Sequence, residues 1–207
     1  MLRVIGDIHG KFGEYNRIAG AAKYSVQVGD MGFDYTNLKT DPFRHRFIGG
    51  NHDNYDGYYD TYHALGDFGL ARLNNVEFFF VRGAYSIDKQ WRILQKHKCW
   101  WDNEELTYYE LTQAIKLYDE YKPNIVITHT CPIKCNPIVS NDNVLRDWGF
   151  NPADFRPRTA IALEVMLETH QPALWLFGHF HRRREFKLDG FNTQFVALEE
   201  CGYYDIL

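Results

Sequence analysis

Short apolar runs alternate with segments of helical period along this chain, and most of the runs stop at glycine. Leu2, Val4 and Ile5 read as a buried strand that ends at Gly6. Phe12, Tyr15, Ile18, Ala19 and Ala22 recur at helical spacing, which predicts a helix over 12–23. A β-rich run over 24–28 ends in Gly29-Asp30, and Phe47-Ile48 ends in Gly49-Gly50-Asn51-His52-Asp53. A strand–helix–strand opening of this kind predicts parallel strands with right-handed crossovers, the α/β class. Residues 54–66, rich in Tyr and Asp, predict a helix or an irregular lid beside those strand ends. Val76 to Val81 reads as a core strand, followed by Gly83-Ala84-Tyr85-Ser86-Ile87-Asp88 and a connection carrying Trp100-Trp101.

The second half is as strongly punctuated. Thr107 and Glu110 have the spacing of a capping box, with Leu106 and Leu111 as its hydrophobic staple. Leu111, Ile115 and Tyr118 supply the apolar stripe of the helix that follows, and Lys122-Pro123 ends it. Ile125 to Ile127 reads as a strand delivering Thr128-His129. Residues 133–157, rich in Asn, Asp and Pro, predict a long surface loop able to shape a substrate site. A helix is predicted over 159–170 with Ile161, Val165 and Met166 inward, then a strand over 173–177 ending in Gly178-His179-Phe180-His181. The remainder, with Asp189-Gly190 between two β-rich runs, predicts a hairpin closing a sheet edge.

Composition narrows the class without naming the chemistry. The 207 residues, 45% hydrophobic and 24% charged, fit one globular domain over 1–207. A net charge of -4 supplies no global basic field for nucleic acid. No stretch has the apolar length of a membrane span, and Met1 leads straight into the first strand. Cys99, Cys131, Cys135 and Cys201 lack the spacing of a disulfide framework, so free thiols and a cytoplasmic setting are expected. The 14 Tyr and 15 Phe are expected to serve chiefly in packing.

The candidate chemistry lies at the strand ends. Asp7 and His9, two residues apart after the first strand, offer one oxygen and one nitrogen to the same point, a mix suited to a first-row divalent metal. Asp30, Asn51, His52, His129, His179 and His181 occupy the same kind of position, whereas His45, His63, His97 and His170 fall outside it. Taken singly, Asp and Asn favour turns because their side chains bond nearby backbone. Five strand-to-loop junctions presenting such groups in order are a different matter.

Gly6-Asp7-Ile8-His9-Gly10, Gly29-Asp30, Gly50-Asn51-His52-Asp53, Thr128-His129 and Gly178-His179-Phe180-His181 resemble the ordered motifs of the calcineurin-like metallophosphoesterase superfamily. The resemblance runs from Asp7 to His181 and is similar in places to small bacterial and phage-type members. It implies a sandwich of two mixed β-sheets flanked by helices, with a dinuclear metal site at the strand ends. It further implies that Asp7, His9 and His181 hold one metal, that Asn51, His129 and His179 hold the other, and that Asp30 bridges them. The cofactors implied are two divalent ions, manganese first, with Fe, Zn, Co or Ni as alternatives. The reaction implied is hydrolysis of a phosphate ester by attack of a metal-bridging hydroxide, with His52 acting on the substrate as general acid or hydrogen-bond donor.

The departures from the family are specific. The protein Ser/Thr phosphatase branch carries Gly-Asp-x-x-Asp-Arg-Gly at its second motif, where this chain reads Gly29-Asp30-Met31-Gly32-Phe33-Asp34. The phosphate-gripping arginine of that branch is therefore missing, and Arg82, Arg44 and Arg182 are the candidates to replace it. His52 is left to be oriented by Asp53, placed with it in the catalytic set, or by Asp34. The missing arginine tilts the expected substrate toward a phosphodiester or nucleotide, including a nucleic-acid end. Trp100 and Trp101 offer a stacking wall for a base or, alternatively, core packing. The rival readings are a phosphomonoesterase, protein phosphatase-like enzymes included, and a silent scaffold of the same fold. The sequence specifies no oligomeric state.

Overall fold

Strands buried on both faces need two different apolar surfaces, and here the period-2 alternation of side chains supplies them. The structure, a computed structural model, describes residues 1–207. In chain order the elements are β1 (Leu2–Ile5), α1 (Phe12–Gly20), β2 (Ser25–Gln27), β3 (His45–Phe47), β4 (Phe68–Leu73) and β5 (Val76–Val81). These are followed by α2 (Lys89–Ile93), α3 (Tyr108–Tyr121), β6 (Ile125–Thr128), α4 (Asn136–Val139), α5 (Asp142–Asp147) and α6 (Arg158–Thr169). The chain closes with β7 (Leu174–Phe177), β8 (Arg184–Phe186), β9 (Gln194–Ala197) and β10 (Tyr203–Ile206).

Two mixed sheets result, in the orders β10-β1-β2-β3 and β4-β5-β6-β7-β9-β8. β1, β2 and β3 run parallel, with β10 antiparallel on β1. β5, β6, β7 and β9 run parallel, and β4 and β8 are antiparallel at the two edges. Val4 and Val26 of the smaller sheet meet Phe78, Phe80, Ile127 and Leu176 of the larger one in the layer between them. The alternate residues Phe79, Val81, Val126, Trp175 and Phe177 point the other way, beneath α3 and α6. On the far side of the smaller sheet, Ile5 and Phe47 pack with Tyr15, Ile18 and Ala19 of α1. Each large side chain so buried contributes roughly 1.5–3 kcal/mol relative to leaving it in water. The helix–sheet–sheet–helix sandwich thus follows from one alternation.

Most predicted elements appear, with instructive exceptions. The capping box forms as read: Thr107 accepts from Glu110 N while Glu110 accepts from Thr107 N. Lys122 terminates α3 in the left-handed conformation, at φ 46. β4 has no counterpart among the predicted strands. It pairs with β5 through Asn74-Asn75, both left-handed at φ 48 and φ 62, as a tight hairpin turn requires. Residues 54–66 hold turns and one short 3-10 helix, Tyr58–Asp60, in place of a longer helix. The predicted loop over 133–157 contains α4 and α5, which at four and six residues are too short to show a helical period. In α6 the buried stripe is Ala162, Leu163, Met166 and Leu167, whereas Ile161 and Val165 are exposed. Packing against α3 and the sheet selects the face that carries Ala162, Leu163, Met166 and Leu167. No helix is long and apolar enough to cross a membrane.

Thr107→Ala removes the acceptor for an otherwise orphaned helix N–H. It is expected to lower stability by about 1 kcal/mol, read as a reduced urea midpoint at unchanged slope.

Candidate metal centre

Parallel neighbouring strands end side by side, so the groups that follow them are delivered to one rim. β1 leads to Asp7 and His9, β2 to Asp30, β3 to Asn51 and His52, β6 to His129, and β7 to His179 and His181. The structure brings all eight to that rim. Four of them, His9, Asp30, His179 and His181, have left-handed φ values of 48, 58, 69 and 53. Such conformations cost energy in residues other than glycine and persist where the surroundings over-determine them. Two glycines make the crowding tolerable. A Cβ on Gly178 would collide with Asp7 Oδ1, and one on Gly50 with Asp30 Oδ1.

The side chains fall into two groups that share Asp30: Asp7, His9, Asp30 and His181, and Asp30, His129 and His179. In the first, His181 Nε2 lies 3.1 Å from Asp7 Oδ2 and 2.9 Å from His9 Nε2. Asp30 faces the two groups with different oxygens, Oδ2 at 3.6 Å from His9 Nε2 and Oδ1 at 3.3 Å from His129 Nε2. Asn51 Oδ1 joins the second group at 2.9 Å from His129 Nε2. Donors bound to one ion at about 2.0–2.2 Å stand about 3–3.5 Å apart in a tetrahedral arrangement, and the separations here, from 2.9 to 4.0 Å, bracket that spacing.

Electrostatics agree with that spacing. Asp7 and Asp30 are 0% and 1% exposed, and the only cationic-capable groups within 4.0 Å of either are imidazoles. Burial pushes the Asp30 carboxyl up to about 7, with the Asp7 charge adding to it. Asp7 is held below the usual carboxylate range, because its hydrogen bond to His181 and the nearby imidazoles outweigh its burial. Two desolvated carboxylates among imidazoles form a mixed oxygen and nitrogen donor set that fits divalent ions. His129 is prepared for this role. Its Nδ1 donates to the Val28 carbonyl at 2.9 Å, leaving the Nε2 lone pair directed at the centre.

His52 lines the adjoining cavity, 5.3 Å ring to ring from His9, and its backbone N–H donates to Asp30 Oδ1 at 2.6 Å. Burial, reinforced by the Arg92 charge, pushes its imidazole down to about 2. Neither Asp53 nor Asp34 orients that ring. The Asp53 carboxylate accepts from the backbone N–H groups of Asp30, Gly32 and Gly50 at 2.8, 3.1 and 2.7 Å, and from the Tyr35 hydroxyl at 3.2 Å. It binds together the loops that carry Asp30 and Asn51, so its expected place beside the reacting atoms is corrected to that of a positioning group. Asp34 caps a short 3-10 turn by accepting from Thr36 N.

The arginine candidates separate in the same way. Arg82 is buried against Asp67, the Asn103 carbonyl and the Tyr59 hydroxyl, and Arg44 pairs with Asp41 on the surface. Arg182 lines the cavity. Arg92, which the sequence reading passed over, is 3% exposed and donates to the Asn51 carbonyl at 2.9 Å. No local signal marks it, because its partner lies 41 positions away. Trp101 packs in the core and Trp100 beneath Lys89. The aromatic wall of the cavity is instead Tyr85, Trp148 and Phe155.

The sequence profile of the calcineurin-like phosphoesterases matches residues 2–183. The chain belongs to that family. It is a metal-dependent phosphoester hydrolase. Among solved structures, phosphopantetheinyl hydrolase (PptH) from Mycobacterium tuberculosis has the same fold, with a TM-score of 0.51 at 12% identity over 96% of this chain and 89% of that one. GAP50, the anchor in the inner membrane complex of Plasmodium, aligns with a TM-score of 0.44 at 10% identity over 96% of this chain and 71% of that one. Curated protein sequences provide no matching relative. Divalent metal ions are the cofactors of this calcineurin-like phosphoesterase, and the two groups that share Asp30 are the candidate ligands.

Asp53→Asn turns an N–H₂ group toward at least one of the backbone donors that Asp53 now accepts from. The expected loss is about 2 kcal/mol of stability, measured by urea unfolding. Unchanged stability together with a displaced pH–rate profile would instead return Asp53 to a direct partnership with His52.

Proposed function

We propose that this chain hydrolyses a phosphodiester or a nucleotide ester at a dinuclear centre, with Asp7, His9 and His181 holding one ion. Asn51, His129 and His179 hold the other, and Asp30 bridges them. The observation that carries the dinuclear reading is the division of the Asp30 oxygens between the two groups of donors. When bound, the ions would supply Lewis-acid polarisation of the phosphoryl oxygens and acidify a water for in-line attack. Manganese is the first choice of metal on the mixed oxygen and nitrogen donors, which also suit Fe, Zn, Co or Ni.

The rest is done by the side chains around the centre. The His52 ring, at the junction of centre and cavity, donates a hydrogen bond to a phosphoryl or leaving oxygen. The cavity beside it, about 380 Å³, is of ligand-binding size and receives the organic arm of the ester. Tyr85, Trp148 and Phe155 give that arm flat apolar surfaces, while Asn136 and Asn141 offer hydrogen bonds along its edge. Arg182 is the one Lys or Arg among the lining residues. One exposed guanidinium suits the single charge of a diester better than the dianion of a monoester. The four cysteines stand free, which supports a cytoplasmic setting as part of the same proposal.

Two measurements test this reading. Manganese-loaded protein is expected to cleave bis-p-nitrophenyl phosphate and thymidine 5′-p-nitrophenyl phosphate faster than p-nitrophenyl phosphate, whereas a clear monoester preference would overturn the diester assignment. Asp30→Ala is expected to abolish turnover and reduce bound metal. His52→Ala is expected to keep both ions and lose roughly 10²–10⁴ in kcat. Loss of metal from the His52 variant would show that its role is misassigned.

A further inference from the structure

A buried polar cluster stands behind the centre. Ser86, Arg92 and Glu104 are 1%, 3% and 3% exposed, and they come from the Gly83–Asp88 segment, α2 and the connection before α3. Ser86 Oγ is the hub. It receives Asn51 Nδ2 at 3.1 Å and Arg92 Nη1 at 2.7 Å, and it donates to Glu104 Oε2 at 2.6 Å. Glu104 Oε1 accepts from Ser86 N at 2.9 Å, so the carboxylate grips the serine twice. Arg92 Nη1 also donates to the Asn51 carbonyl at 2.9 Å, fixing the backbone of the same residue.

A hydroxyl has one proton and two lone pairs. At Ser86 all three are committed, and with Glu104 ionised beside the Arg92 guanidinium, 3.9 Å away, the direction of each bond follows. The Glu104 carboxylate takes the proton, so the serine oxygen can meet Asn51 only as an acceptor. Asn51 must therefore present its nitrogen to Ser86 and its oxygen to the opposite side, where Oδ1 lies 2.9 Å from His129 Nε2. A flipped amide would set oxygen against oxygen at Ser86 and offer the centre an N–H₂ group with no lone pair for a metal.

We propose that Glu104, acting through Ser86 with Arg92 as a brace, is the positioning device that presents Asn51 to the centre as an oxygen ligand. The inference rests on the assignment of Asn51 as a ligand. It gives Ser86, Arg92 and Glu104 a function that their burial alone does not explain.

The test reads metal binding directly. Metal-free protein is titrated with Mn²⁺ by calorimetry, and bound ions are counted by electron paramagnetic resonance. Ser86→Ala removes the hub. Glu104→Gln keeps the volume but lets an amide donate to Ser86, which frees the serine proton to turn toward Asn51. Both are expected to weaken one of the two sites by roughly 10–100-fold and leave the other unchanged. Glu104→Gln decides the matter if the alanine variant does not fold. In an Asn51→Ala background, which lacks the ligand, Glu104→Gln is expected to have no further effect on either site. Wild-type affinities at both sites in Glu104→Gln would overturn the proposal. So would equal weakening of both sites, or further weakening in the Asn51→Ala background, since either marks a general structural role. If Asn51→Ala itself retains both sites, the ligand assignment fails and the positioning role falls with it.

Discussion

Two carboxylates without a lysine or arginine partner are held out of water at the ends of neighbouring parallel strands, and the rest of the rim is arranged around them. Asp7 follows β1 and Asp30 follows β2, whose spacing in the sheet brings their side chains together. Like charges at such range, desolvated, are tolerated only with compensation. Part of it is local: His179 N–H donates to Asp7 and His52 N–H to Asp30. The larger part is the ring of imidazoles, and the divalent cations that such a donor set accepts.

That requirement explains why the sandwich is built as it is. The smaller sheet carries Asp7, His9, Asp30 and Asn51, while the larger carries His129, His179 and His181. Neither sheet holds a complete donor set, so the centre exists only where the two are clamped face to face. The layer between them, with Val4 and Val26 against Phe80 and Ile127, fixes their separation. The bond from the His129 ring to the Val28 carbonyl crosses that layer, and Gly178 lets β7 approach Asp7 where any side chain would obstruct it. Hydrophobic packing and metal chemistry meet in the same few ångströms.

Around the rim stand residues whose own chemistry is consumed by buried partners. Asp53 gathers three N–H groups of the loops after β2 and β3. Arg82, a candidate for gripping phosphate, spends its guanidinium on Asp67, Asn103 and Tyr59. Both have residue types that sequence reading associates with catalysis. Their burial and saturation with partners show that position in a motif and contact with substrate are separate properties.

The sequence by itself determined the elements that local chemistry specifies. The Thr107–Glu110 box, the glycine-terminated strands and the order of metal-capable groups after them all follow from residues close in the chain. It also determined which residues meet at the rim, because each stands immediately after a strand and parallel strands end together. Only the tertiary structure decided what depends on distant pairing: the burial of Leu163 in place of Ile161, the pairing of Arg92 with Asn51, the turn of Asp53 away from His52, and an aromatic wall made by Trp148 and not Trp100. These are set by which face packing selects and which buried group can satisfy another. Such choices are made between residues tens of positions apart, and no local pattern of apolar and polar residues encodes them.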